Sequence, residues 1–383
     1  MIRIGIMTFL HNDNYGSILQ ALALQAAVGE MGYEAEHIDY RPSRAEKVRN
    51  LLTSGNSPAL IWEGMRKRGV RSYGSTSALH EQFLRERFAL SEPCRDGAAL
   101  ARAAERYDLL LCGSDQIWSP VWLNPAYFLD FTDKPRIAYA ASLGVKELPG
   151  AAKGRRIAGL VKPFAAVSVR EEEGAALLET LTGARPAVMP DPVMLRAPEQ
   201  WRALAKPAGR EPYLLCYFIG DRPDYWQQAE ALAKPSGQRE PYLVCYFIGD
   251  QESYWRETKA LSERMNLPAL AVPKTEGAYR SGLPVIENVS PDVWLGLMDG
   301  AAHVITDSFH ASAFSCLLNR PFTALRRYRE DDPESKNSRV DQLLRLLALT
   351  DTANPDWDDV NARLARERAR GLAWLEEAIG GAI

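Results

Sequence analysis

The chain has 383 residues, with 46 Lys and Arg against 49 Asp and Glu, a formal net charge of −3 at pH 7. Its 46% hydrophobic and 25% charged residues are ordinary globular usage, which excludes a disordered, collagenous or fibrous chain. The balanced charge gives no electrostatic argument for nucleic-acid binding, the length suits two domains of roughly 100–200 residues, and no apolar run reaches the ~18 residues of a membrane span.

Ile2, Ile4 and Ile6 alternate with Arg3 and Gly5 and run into His11-Asn12-Asp13-Asn14 without a small-residue cleavage site, so the start reads as a β-strand rather than a secretion signal. Helical periodicity follows from Gly16 to Met31 and stops at Gly32; Glu36–Tyr40 is the next strand. A β-loop-α-β opening predicts a parallel sheet with covering helices. Residues 41–106 read as helical, with polar loops near 53–57 and 73–77. Strands are then expected at Tyr107–Cys112, Arg136–Ser142, Ala166–Val169 and Ala187–Met189, each ending in a small or polar residue. Beyond a linker at 195–210, with a short helix at Trp201, further strands are expected at Tyr213–Ile219, Tyr242–Ile248, Ala269–Val272, Val304–Thr306 and Phe322–Leu325. An amphipathic helix over Asp356–Ile379 is expected to pack back on the body, so the expected units are 1–195, 205–345 and a terminal helix in 355–383.

One segment occurs twice. REPYLLCYFIGDRPDYW starts at Arg210 and REPYLVCYFIGDQESYW at Arg239. Two copies do not make a solenoid; they read as a tandem duplication of one strand-plus-helix unit, expected at a sheet edge. The five cysteines, Cys94, Cys112, Cys216, Cys245 and Cys316, are odd in number and lack CxxC spacing, so they predict neither a disulfide framework nor a zinc site. A reducing cytoplasm is the simplest compartment.

Ligands of open α/β sheets sit beyond the carboxyl ends of strands, so the polar strand ends carry the chemistry. After the first strand, Asn12 and Asn14 can cap a helix or touch a ligand, next to Tyr15 and Gly16. Gly113 is followed by Ser114 and Asp115, able to cap the next turn or hold substrate hydroxyls, and by Trp118, able to stack on a sugar or fill a cleft. Arg170 ends Val167-Ser168-Val169, where a guanidinium can grip a carboxylate or phosphate or simply pair with Glu171–Glu173. The strongest cluster is Thr306-Asp307-Ser308-Phe309-His310: a strand ends, a small-residue helix begins, and His310 lies in its first turn, suited to act as base, or as acid beside bound anions. His37, His80 and His303 read as core histidines. Walker, HExxH, GxSxG and GxGxxG motifs are absent, which disfavours a P-loop kinase and a dinucleotide oxidoreductase.

In combination these stretches resemble the polysaccharide pyruvyl transferase family. The resemblance rests on TFLHNDNYGSILQALALQ, DLLLCGSDQIW, RIAYAASLG, SVREEEGAALL, MPDPVML, SPDVWLGLMDGAAHVITDSFHASAFSCLLNRPF and NSRVDQLL, in that order from residue 8 to about 344. The duplicated unit near 210–255 is the departure from it. The resemblance implies a glycosyltransferase-B-like α/β fold of two Rossmann-like domains facing a cleft. It implies transfer of pyruvate from phosphoenolpyruvate to sugar hydroxyls as a ketal in polysaccharide or glycoconjugate biosynthesis, with no cofactor and no metal. On matched positions it implies His310 as acid/base and Arg170 as a grip on the phosphoenolpyruvate anion. Asp115 or Asp191 is suited to orient or deprotonate hydroxyls, and Arg327 and Arg339 are further anion candidates. Two other functions fit the same architecture: a nucleotide-sugar glycosyltransferase, and a non-catalytic saccharide-binding protein.

Overall fold

The computed structural model describes residues 1–53, 74–148, 150–208, 212–233, 242–329 and 337–383. The helical reading between 54 and 73, and the Arg210 and Arg239 starts of the two copies, lie outside the described residues. Two parallel sheets organise the chain. The first holds β1 (Arg3–Met7), β2 (Glu34–His37), β3 (Leu109–Cys112), β4 (Arg136–Ala141), β5 (Ala166–Val169) and β6 (Ala187–Val188), in the order β2-β1-β3-β4-β5-β6. The second holds β7 (Tyr213–Phe218), β8 (Tyr242–Phe247), β9 (Ala269–Val272), β10 (His303–Thr306) and β11 (Phe322–Ala324), in the order β11-β10-β7-β8-β9. The central strands β3, β4 and β7 are buried at every position, as continuous apolar runs require when helices cover both faces of a sheet.

The first helix, Tyr15–Glu30, ends before Gly32, whose φ of +90° suits glycine. The strand expected at Glu36–Tyr40 is displaced to Glu34–His37, and Tyr40 continues only as a bridge to Cys94. The partner is an extended segment around Pro93 that interrupts the helical reading of 41–106 and leaves helices Arg44–Thr53, Gly74–Arg87 and Gly97–Ala104. A proline inside that stretch cannot continue a helix.

The duplicated strands pair with each other, in parallel, each residue beside its counterpart: Tyr213 faces Tyr242, Cys216 faces Cys245 and Phe218 faces Phe247, and only Leu215 beside Val244 differs. They lie inside the sheet, flanked by β10 and β9, which corrects the expected edge position. The reason is compositional. A six-residue apolar strand leaves no polar face for an edge, whereas β11 and β9 at the two edges are shorter. All five cysteines are free and buried.

The two halves share a core. Tyr15, Ile18 and Leu19 of the first helix pack in one apolar cluster with Tyr217, Trp294 and Phe314 of the second half. The final helix, Trp357–Ala382, is capped by Asp356 and returns to the first sheet, where Leu375 and Ile379 join Ile4, Leu111 and Tyr139. Gly371 permits this approach, since a Cβ there would lie 2.5 Å from the Tyr139 hydroxyl. Among the described residues no helix is long and apolar enough to cross a membrane.

Candidate functional site

Each sheet has one crevice where its strand order reverses. In the first sheet it lies between β1 and β3, and in the second between β7 and β10. The polar strand ends singled out in the sequence belong to these crevices and to the neighbouring carboxyl ends of β5 and β6.

At the end of β1, Asn14 caps the first helix, its Oδ1 accepting from Gly16 N (3.0 Å) and Ser17 N (3.5 Å). Tyr15 is fully buried and its hydroxyl donates to the Val289 carbonyl of the other half (2.8 Å). Gly16 lies against the histidine of the second half: a Cβ there would sit 2.4 Å from His310 Cγ and 2.5 Å from Nδ1. Only a residue without a side chain lets these two elements meet so closely. The Gln20 amide, one helical turn on, donates to Thr8 Oγ1 (3.0 Å) and accepts from Ser114 N (3.4 Å), which ties the β1 loop to the β3 loop.

The hub is Asp191, whose side chain is wholly buried. Its Oδ2 accepts from Arg170 Nη1 (2.6 Å) and Ser114 Oγ (3.2 Å) and lies 3.6 Å from His310 Nε2, while Oδ1 accepts from Val193 N (3.1 Å). Burial alone would raise its pKa. The neighbouring His310, the charge of Arg170 and the Arg170 hydrogen bond outweigh that and hold the carboxyl below its usual range. Arg170 Nε donates to Glu171 Oε1 (3.0 Å), its guanidinium lies 4.7 Å from the Phe309 ring centre, and its buried Nη2 has no partner. The helix Ser338–Leu346 straps this strand end from outside, with Gln342 donating to the Arg170 carbonyl (2.8 Å).

Arg339 from that helix is the second cation. With the Gln116 amide oxygen turned toward it, Nη1 donates at 2.8 Å and Nη2 at 3.2 Å, and its buried Nε has no partner. Burial and the neighbouring Arg170 charge push its pKa down to about 10, against the pull of Glu171 and Asp115. Arg170, Asp191, Phe309, Arg339, Gln342 and Arg370 are among the residues that line a cavity of about 460 Å³. Asp115 is half-buried at the end of β3 and accepts from Gln116 N (2.9 Å).

Other candidates are placed differently. Trp118 is fully buried, stacked 4.9 Å from the Phe128 ring and donating to the Tyr127 carbonyl (3.0 Å), so it packs the first core and presents no face to a sugar. Ser308 caps the helix Phe309–Leu317, accepting from Ala311 N (3.4 Å). Asp307 has its carboxylate engaged by Ile219 N, Gly220 N, Tyr225 and Arg327. Burial pushes His37 and His303 down to about 4, as core histidines; His80 stacks on Tyr15, ring centres 4.9 Å apart. Lys274, unremarked in the sequence, follows β9 and donates to the Asp13 carbonyl across the cleft. Burial pushes it down to about 8, against the charge of Asp13. The sequence held no sign of this contact, because its partner is a backbone carbonyl on the other half.

Two Rossmann-like sheets with their polar carboxyl edges turned to a shared site define a glycosyltransferase-B-like α/β protein. Solved structures are similar over nearly the whole chain. UDP-GlcNAc 2-epimerase from Neisseria meningitidis, bound to UDP-GlcNAc, is 11% identical, with 99% of each chain covered and a TM-score of 0.50. A glycosyltransferase from Rickettsia africae is 11% identical over 99% of this chain and 98% of its own, with a TM-score of 0.49. A search of curated proteins returns no match. The model of the family described as polysaccharide pyruvyl transferase matches residues 14–327, and the chain belongs to that family of transferases.

Proposed function

We propose that the chain transfers a pyruvyl group from phosphoenolpyruvate to two hydroxyls of a saccharide, forming a ketal. The observation that carries this reading is the pair of buried guanidiniums, Arg170 and Arg339, with unpartnered N–H groups beside the His310–Asp191 pair. A ligand with both a carboxylate and a phosphate suits two such cations. In this reading residues 1–195 and 205–345 are the two working halves, and the helix within 355–383 braces the first.

The chemistry follows from the groups present. His310 protonates the methylene carbon of phosphoenolpyruvate, which leaves the central carbon electron-poor. A sugar hydroxyl adds to that carbon and returns its proton to His310. The bond from the central carbon to the phosphate oxygen breaks, and a second hydroxyl closes the ketal. The second hydroxyl proton leaves on the phosphate, so one diol and one phosphoenolpyruvate give one ketal and one hydrogen phosphate. Arg170 and Arg339 take the charge of the departing phosphate. In this reading Asp191, buried and held ionised, orients His310 and Arg170, and Asp115, more open, takes the hydroxyl proton or orients the hydroxyl.

Thermal unfolding with phosphoenolpyruvate tests this. At ~100 times its dissociation constant the ligand adds roughly 2.7 kcal/mol of stability. The expected outcome is a rise in Tm for the wild type that Arg170→Met and Arg339→Met each abolish. Stabilisation by uridine diphosphate with none by phosphoenolpyruvate would replace this reading with a nucleotide-sugar donor.

A further inference from the structure

An anion bound to an open α/β sheet sits where the strand order reverses, held by backbone N–H groups. In the second sheet that place lies between β7 and β10. Four donors converge on it: Ile219 N, Gly220 N, the Tyr225 hydroxyl and Arg327 Nε. Two successive backbone amides, a phenol and a guanidinium are the donor set of an oxyanion site. All four are taken by one carboxylate of the chain itself. Asp307 Oδ1 accepts from Ile219 N (2.8 Å), and Oδ2 from Gly220 N (2.7 Å), Tyr225 Oη (3.1 Å) and Arg327 Nε (3.1 Å). The Asp307 side chain has no exposed surface. Gly220 makes the approach possible, since a Cβ there would lie 2.7 Å from Arg327 Cγ and 3.0 Å from Asp307 Oδ2.

The second copy of the duplicated unit supplies an internal control. Ile248 and Tyr254 match Ile219 and Tyr225 in the repeat, yet Ile248 N donates to the Phe218 carbonyl (2.9 Å) and the Tyr254 hydroxyl to the Ile219 carbonyl (3.0 Å). Identical side chains hold a carboxylate only in the copy that borders β10. Position at the strand-order reversal, rather than the repeat sequence, makes the anion site.

We propose that Asp307 is a built-in stopper: it fills the anion site at the reversal point of the second sheet and thereby bars a diphosphate-bearing donor, a nucleoside diphosphate above all, from that half. The site is a specificity device, and it stands apart from the phosphoenolpyruvate reading, which concerns Arg170 and Arg339.

Formate and inorganic pyrophosphate, followed by thermal unfolding, test it on the wild type, Asp307→Ala, Asp307→Ser and the double variant Asp307→Ala/Arg327→Met. The expected result is that both single variants melt lower than the wild type. Asp307→Ala then regains a Tm rise of roughly 3 °C with either anion, and the wild type and the double variant do not. Asp307→Ser, whose shorter side chain vacates the carboxylate position while keeping a polar group, covers the case in which the alanine variant does not fold; it too gains an anion response. The proposal fails if neither single variant responds to the anions. It also fails if uridine diphosphate stabilises the wild type and Tyr225→Phe or Arg327→Met removes that effect. Phosphoenolpyruvate run on the same proteins separates the two readings: an anion response in Asp307→Ala without a phosphoenolpyruvate response in the wild type keeps this inference and discards the other.

Discussion

Asp191 gathers an arginine, a serine, a backbone amide and a histidine on two oxygens with no access to water. Removing its charge leaves Arg170 buried with Glu171 alone, and removing one partner of a buried pair costs about 3–5 kcal/mol. Asp191→Asn is therefore expected to lose about 3 kcal/mol, measured by denaturant unfolding, and to lower kcat by about 10²–10⁴, as general-acid catalysis without its orienting group does. An unchanged kcat with lowered stability would assign Asp191 to the fold alone. At this scale the sequence was partly legible. His310, Arg170 and Ser114 stood out because they end strands, and strand ends converge in parallel sheets. Asp307 stands in the same cluster at a strand end, yet its role is internal. Two of its partners are backbone amides just beyond β7, and no pattern of residue types announces a backbone donor. Trp118 failed as a sugar platform for a related reason: an aromatic residue after a buried strand has the same local signature whether it faces a cleft or a core.

Among the elements, the duplicated strand is the most informative. Its two copies pair residue for residue, and the chain tolerates an extra interior strand because each copy offers the same apolar faces and the same parallel edges to its neighbours. Deleting residues 213–241 removes one repeat and joins Pro212 to Tyr242. We expect β8 to take the place of β7 beside β10 while keeping β9, with Ile248, Gly249 and Tyr254 replacing Ile219, Gly220 and Tyr225 around Asp307. Circular dichroism and a single cooperative melt check this outcome. A molten, aggregating product would show that the two copies have diverged in their packing. The existence of most strands was legible from their apolar runs. Their order in the sheet was not: an apolar strand says that it needs two covered faces, and leaves open which strands stand beside it.

Across the whole molecule, polar contacts at the site join the halves, among them Tyr15 to Val289, Asp191 to His310, Gln342 to Arg170, Arg339 to Gln116 and Lys274 to Asp13. Lys274 gives this seam a pH signature. Its folded pKa of about 8 lies below the ~10.4 of an unfolded lysine. Between those values the unfolded chain binds more protons, so this residue makes stability rise as pH increases. Cys112 and Cys316, whose thiols burial pushes up, act in the opposite sense above their ordinary range. The difference between wild type and Lys274→Met isolates the lysine: the stability of the wild type relative to the variant is expected to grow from pH 8 to pH 10 in denaturant titrations. A constant difference over that range would mean that Lys274 is not buried in solution.

The helix Trp357–Ala382 has a consequence for how the protein is made. It completes a core begun by Ile4 and Ile6, so the second half of the molecule is, in topology, inserted within the first. During synthesis the ribosome releases β1 first, yet Tyr139 and Leu195 cannot be covered until Leu375 and Ile379 emerge. The inserted half can fold while the first half waits as an open sheet. The nascent chain therefore exposes its earliest apolar strands for the longest time, and that interval is when a chaperone has most to hold.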